Sequence, residues 1–197
     1  MSWEFAVLDW IQNNLRCGLL DRIMPVITFF GNGGWFWIAL TLLGFAYKPT
    51  RKYAHVAAIA LILGLVIGNL LIKPAVARIR PYDINTAITL LIAAPTDFSF
   101  PSGHTQASFA VATSVFLWNK KYGTAALLFA VLIAFSRMYL YVHYPTDVLA
   151  GILFGVCWAF VGLVICNRLF RGKPWDGCQP LPDATDATDT TEKEKLQ

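Results

Sequence analysis

Residues 145–167 read PTDVLAGILFGVCWAFVGLVICN, and beyond Asp147 they run for twenty residues without Asp, Glu, Lys or Arg. A helix needs about 20 mainly apolar residues, at about 1.5 Å rise each, to cross a bilayer. This stretch is therefore predicted to be a membrane-spanning helix. Working outward, the same search gives further apolar stretches at 33–47, 54–72, 102–118 and 122–139. Two of the five are short, which implies that their ends sit in a protein-lined recess.

The composition agrees. Hydrophobic residues make up 56% of the 197 and charged residues 14%, against about 45–50% and about 25% in soluble domains. Mean hydropathy is +0.53. That excess is more than one core of this size could bury, so an ordinary soluble globular protein is excluded. Four cysteines (Cys17, Cys157, Cys166, Cys178) show no CxxC spacing, which argues against a disulfide framework or a zinc site and predicts free thiols.

Residues 1–32 read differently. On a helical wheel over 3–16, Trp3, Val7, Trp10, Ile11 and Leu15 cluster opposite Asp9, Gln12, Asn13 and Arg16, with Glu4 and Phe5 out of place. That pattern predicts an interfacial helix. Residues 19–30 are too few to cross alone and are broken by GNGG at 31–34, so they are expected to form a second surface or half-inserted helix. The start lacks the basic region and apolar run of a cleavable signal, so the internal spans are expected to direct insertion. Residues 172–197 are polar, proline-dotted and repetitive in Asp-Ala-Thr, and are expected to be a disordered cytoplasmic tail. The fold expected is all-α: an integral membrane bundle of five transmembrane helices, six if the N-terminal region crosses, with amphipathic interfacial helices at 1–32 and the transmembrane domain at 33–171.

Net charge is +4, with sixteen Lys and Arg against twelve Asp and Glu. Lys48, Arg51, Lys52, Lys120, Lys121, Arg168, Arg171 and Lys173 fall at one set of span ends, which the positive-inside rule makes cytoplasmic. Four bases remain on the opposite face: Lys73, Arg78, Arg80 and Arg137. They need another reason to be there. Lys73 and Arg80 stand in KPAVARIRP (73–81), PSGH occupies 101–104, and SRMYLYVHYPTD (136–147) holds Arg137, His143 and Asp147. Taken singly, Lys73 or Arg80 reads first as a snorkelling base, Ser102 equally as an ordinary N-cap, and the His–Asp pair first as structural. Arg78 is expected to contact headgroups or solvent. Taken together, three cations, two histidines, one carboxylate and a Ser-Gly turn opening a helix suit a phosphate.

These residues resemble the type 2 phosphatidic acid phosphatase superfamily, which includes bacterial lipid phosphate phosphatases, glucose-6-phosphatase and vanadium-dependent haloperoxidases. Its signature is a Lys, six residues, then Arg-Pro; a Pro-Ser-Gly-His; and a Ser-Arg, five residues, His, three residues, Asp. All three parts stand here in order and without substitution. Small bacterial members also share the GNGG segment and a GVHYPTD-like stretch, where this chain has Tyr141 in place of the usual small residue.

The resemblance implies a metal-independent, cofactor-free phosphatase working in two steps. The histidine matching His143 attacks phosphorus, the aspartate matching Asp147 holds that histidine, and the histidine matching His104 protonates the leaving oxygen and later activates water. Residues matching Lys73, Arg80, Ser102, Gly103 and Arg137 cradle the phosphoryl oxygens. It also implies a lipid phosphate substrate, which the charge pattern above would have the site meet on the extracytoplasmic face. Undecaprenyl diphosphate leads, followed by phosphatidylglycerol phosphate, then phosphatidate and lysophosphatidate. A vanadium haloperoxidase would not need this membrane content, and a non-catalytic lipid-binding or transport protein would not need both His143 and His104. Nucleic acid is not an expected partner, and the sequence is silent on oligomeric state.

Overall fold

The computed structural model describes residues 2–170, so the expected tail at 172–197 lies outside the described residues. All regular structure among the described residues is helical. α1 (Ser2–Asn14) and α2 (Gly18–Phe29) lead through a short 3-10 turn at Asn32–Gly34 into α3 (Trp35–Ala46). α4 (Arg51–Leu63) continues as a π-helix over Gly64–Ile72 into the single turn α5 (Lys73–Val76), and α6 (Pro81–Ile84) is another single turn. The long helices α7 (Gly103–Trp118), α8 (Lys120–Tyr139) and α9 (Pro145–Leu169) complete the bundle.

Helices occupy all five expected stretches. By length and hydropathy, three helical stretches can cross a membrane alone: Lys48–Ile84, Lys120–Tyr139 and Pro145–Leu169. Gly18–Phe29 and Asn32–Ala46 qualify together as one span bent by 42°, so α2 pairs with α3 across the glycine turn. At 16 residues, α7 is about 24 Å long, short of the roughly 30 Å hydrocarbon core. It is also the inner helix, packed against α4, α8 and α9, with Ala110, Val111, Ala112 and Ser114 buried.

Small residues on α9 let α7 approach. A Cβ built on Gly155 would lie 2.5 Å from the Gln106 carbonyl oxygen, and one on Gly151 would lie 2.9 Å from that of Ser102. This spacing of small residues four apart permits close helix contact where lipid supplies no hydrophobic drive. The closeness puts the first turns of α7 and α9 side by side: the Ser102 N–H donates to the Asp147 carbonyl at 3.1 Å.

α1 is a cap on one end of this bundle. Leu8 and Ile11 are buried against the α8–α9 loop while Trp3 and Trp10 stay more than half exposed. The apolar side seen on the wheel therefore splits, with the two tryptophans facing outward. Glu4, out of place on that wheel, is 4% exposed and points into the protein.

Candidate active site

Three segments converge at the end of the bundle that α1 covers. The α5 turn, at the end of the long helix that α4 begins, delivers Lys73, after which Ala77 at φ +48° turns the chain and Arg80 follows before Pro81. The first turn of α7 delivers Ser102, Gly103 and His104. The last turn of α8, the loop after it and the first turn of α9 deliver Arg137, His143 and Asp147 in turn. Six of these eight residues (Lys73, Arg80, Gly103, His104, Arg137 and His143) line one cavity of about 510 Å³. Ser102 and Asp147 sit behind it, each with no exposed surface.

His143 is 1% exposed. Its Nε2 lies 3.3 Å from Arg80 Nη1, and its Nδ1 lies 3.5 Å from Asp147 Oδ2 and 3.5 Å from Ser99 Oγ. Burial, reinforced by the charges of Arg80, Arg137 and Lys73, holds this histidine well below its ordinary pKa. A neutral ring with Nδ1 toward a carboxylate has its lone pair on Nε2, the nitrogen beside Arg80. Asp147 is itself fixed: Oδ2 accepts from Ser99 Oγ at 2.5 Å and from the Tyr144 N–H at 2.9 Å, and Oδ1 accepts from Arg78 Nη1 at 2.5 Å.

Arg78 thus corrects the expectation that it meets headgroups or solvent. It also donates to Thr146 at 2.7 Å and to Glu4 at 2.6 Å, and stacks 3.9 Å over the Tyr144 ring. The physical reason is α1. With Glu4 and Asp147 on one side and an aromatic face on the other, the guanidinium finds a better-satisfied place inside than at the lipid surface.

The cations differ in how they are engaged. Lys73 Nζ and Arg80 Nη2 grip the two oxygens of one carboxylate, Asp97, at 2.5 and 2.6 Å. Burial alone would raise the Asp97 pKa, but the hydrogen bonds and charges of Lys73 and Arg80 pull it down to about 2. Arg80 also donates to the carbonyls of Asp97 and Val142, at 2.7 and 2.6 Å, so it ties the loop before α7 to the loop carrying His143. Arg137 is 2% exposed; among the described residues it donates only to Thr28 Oγ1 and its Nε has no acceptor. A buried guanidinium donor without an acceptor is costly, and a bound oxyanion would satisfy it.

Ser102 caps α7: its Oγ lies 3.0 Å from Thr105 Oγ1 and accepts weakly from the Thr105 N–H at 3.5 Å. The N–H groups of Gly103 and His104 are left facing the mouth of the helix, where backbone donors and the dipole favour an anion. Below the cations the cavity continues between α3, α4 and α7 along Ile38, Leu42, Phe45, Leu61 and Leu65. It is polar at one end and apolar along its length. Among the described residues no group of three or more His, Cys, Asp or Glu side chains is placed to hold a metal ion.

Sequence reasoning missed Asp97, Ser99, Arg78 and Glu4 as parts of the site. Asp97 and Ser99 lie within five residues of PSGH, which was a usable signal. Glu4 sits 74 residues from Arg78 and gave none beyond its misfit on the helical wheel.

The family model described as PAP2 superfamily matches residues 51–171. An undecaprenyl-diphosphatase of Sulfolobus acidocaldarius is 33% identical over 154 residues, 78% of this chain and 74% of that protein. Undecaprenyl-diphosphatase BcrC of Bacillus subtilis is 35% identical over 143 residues, 73% of each chain. Among solved structures, LpxE of Aquifex aeolicus superposes with a TM-score of 0.72 at 27% identity, covering 81% of this chain and 94% of that one.

Proposed function

This chain belongs to the PAP2 superfamily and is a membrane lipid phosphatase, and from that premise we propose that it removes the terminal phosphate of undecaprenyl diphosphate through a phosphohistidine at His143. The observation that carries the mechanism is the buried His143, with Nε2 3.3 Å from Arg80 and Nδ1 toward Asp147, beside Arg137, to which no carboxylate is bonded among the described residues.

His143 Nε2 attacks the terminal phosphorus and the bond to the bridging oxygen breaks. That oxygen takes a proton from His104 and leaves as the lipid monophosphate. His104 then removes a proton from water, whose oxygen attacks the phosphohistidine; the P–N bond breaks and inorganic phosphate departs. Asp147 accepts the Nδ1–H of His143 and stabilises the positive charge that the ring acquires. Lys73, Arg80, Arg137, Ser102 and the N–H groups of Gly103 and His104 offset charge on the phosphoryl oxygens. Such preorganised electrostatics is worth several kcal/mol in phosphoryl transfer. None of these steps calls on a metal ion or cofactor.

The apolar extension of the cavity suits a hydrocarbon tail, and two relatives are named for the polyprenyl diphosphate. An extracytoplasmic site accords with the charge pattern. Lys73, Arg78 and Arg80 are bonded to Asp97, Glu4 and Asp147, so their presence on the outer face has a cause other than topology, and the cytoplasmic ends keep Lys48, Arg51, Lys52, Lys120 and Lys121. The test is phosphate release from undecaprenyl diphosphate, phosphatidylglycerol phosphate, phosphatidate and a soluble phosphomonoester at matched detergent ratio in excess chelator. The expected result is fastest release from the polyprenyl diphosphate. Comparable rates on all lipids would overturn the substrate assignment, and dependence on added magnesium would overturn the metal-free mechanism.

A further inference from the structure

The Gly31-Asn32-Gly33-Gly34 turn, which in the sequence only interrupts a helix, forms a wall of the cavity against His104. Gly31 is buried, and a Cβ built on it would lie 2.5 Å from Cδ2 and 3.1 Å from Cγ of the His104 ring. Gly33 and Gly34 adopt φ of +57° and +69°, left-handed values that suit glycine and turn the chain within two residues. Between them and Gly31, Asn32 places Oδ1 2.9 Å from His104 Nε2. The turn therefore covers the Cγ–Cδ2–Nε2 edge of the imidazole. The opposite edge, with Nδ1, has no partner among the described residues.

We propose that Asn32 is the positioning residue of His104. An amide oxygen can only accept, so the hydrogen bond places a proton on Nε2 and leaves Nδ1 as the nitrogen that exchanges its proton with the leaving oxygen and then with water. Asn32 does for His104 what Asp147 does for His143, without adding a negative charge. That difference matters, because a general acid with a neutral orienter gives up its proton more readily than one held by a carboxylate. The close approach of Gly31 fixes the plane of the ring and Asn32 fixes its rotation. This inference rests on His104 acting as the acid and base of the reaction proposed above.

The charged and titratable groups around His104 are Arg137 on α8, His143 on the α8–α9 loop, Lys73 on α5 and Arg80 before α6, with Asp97 beyond Lys73. No carboxylate is bonded to the ring itself among the described residues. A carboxylate introduced at position 32 therefore acts on His104 directly.

The experiment measures kcat/KM for undecaprenyl diphosphate against pH in detergent for the full chain and for Asn32→Asp, Asn32→Leu and His104→Ala, with vanadate inhibition as a readout of the cradle. Asn32→Asp keeps the acceptor and stabilises protonated His104, so its alkaline limb moves to higher pH. Asn32→Leu removes the acceptor: the alkaline limb moves to lower pH and kcat/KM falls about tenfold, part of the factor of about a hundred or more that acid–base catalysis supplies. Vanadate affinity changes little in either. Unmoved limbs in both Asn32 variants, with activity lost in His104→Ala, would overturn the positioning role alone. Retained activity in His104→Ala would overturn the acid–base reading beneath it. Should Asn32→Leu fail to fold, the direction of the limb in Asn32→Asp still decides.

Discussion

Asp97 occupies the two cations that a substrate phosphate would use. Its carboxylate spans Lys73 and Arg80 as a phosphoryl group would, so an incoming anion has to displace it. With a pKa near 2 the group is ionised across any working pH. Its contribution is complete above the ordinary carboxylate range and is lost only as pH falls through about 2. Asp97→Asn keeps the shape and removes the charge. Vanadate or inorganic phosphate should then inhibit about tenfold more strongly, the equivalent of one charge-assisted hydrogen bond no longer displaced, and equally so at pH 6 and pH 8. An unchanged inhibition constant would show that Asp97 does not compete. Tyr141 illustrates a different residue-level solution. It adopts φ +59°. That strained backbone is held by burial and by Tyr141 Oη, which donates to Asp9 at 2.6 Å and accepts from Asn85 at 3.2 Å.

At the scale of elements, α1 is part of the site's support. Glu4 bonds Arg78, Arg78 bonds Asp147, and Asp147 faces His143. Glu4 and Arg78 are both largely shielded from solvent. Removing one member of such a pair leaves the other with unmet charge, at a cost of about 3 kcal/mol. Glu4→Ala should therefore lower the melting temperature in detergent and reduce kcat more than it raises KM, because Arg78, one of the groups that hold Asp147, loses its own anchor while the proposed phosphate cradle is untouched. A normal kcat with an unchanged melting curve would refute the linkage. The helices themselves were legible in the sequence, since apolar length and the signals at Pro101-Ser102 and Pro145 mark where they lie. The eight candidate residues were also nameable from it, and the structure brings six of them to the lining of one cavity. What was not legible depends on contacts between segments far apart in the chain. Arg78 is a snorkelling base until α1 folds over it, and Asn32 is a turn residue until α2 and α3 bend around His104. The length of α7 misleads for the same reason, because a helix surrounded by protein need not match the bilayer.

The molecule as a whole is a helical bundle whose one end combines the proposed phosphate site with an apolar cavity running down among α3, α4 and α7. The tryptophans of α1 flank that end on the outside, at the level where amphipathic rings prefer the interface. A substrate whose phosphate is wet and whose tail remains in lipid fits this arrangement without leaving the membrane. The central claim is that phosphate passes through His143. The direct measurement is rapid acid- and base-quench of the enzyme mixed with undecaprenyl diphosphate labelled on its terminal phosphorus, in excess chelator, for the full chain and for His143→Ala. The account predicts a labelled enzyme species that is stable to base and labile to acid, formed before phosphate is released, and absent from a folded His143→Ala variant whose turnover falls at least about a thousandfold. Undiminished turnover or labelling in that variant would contradict it.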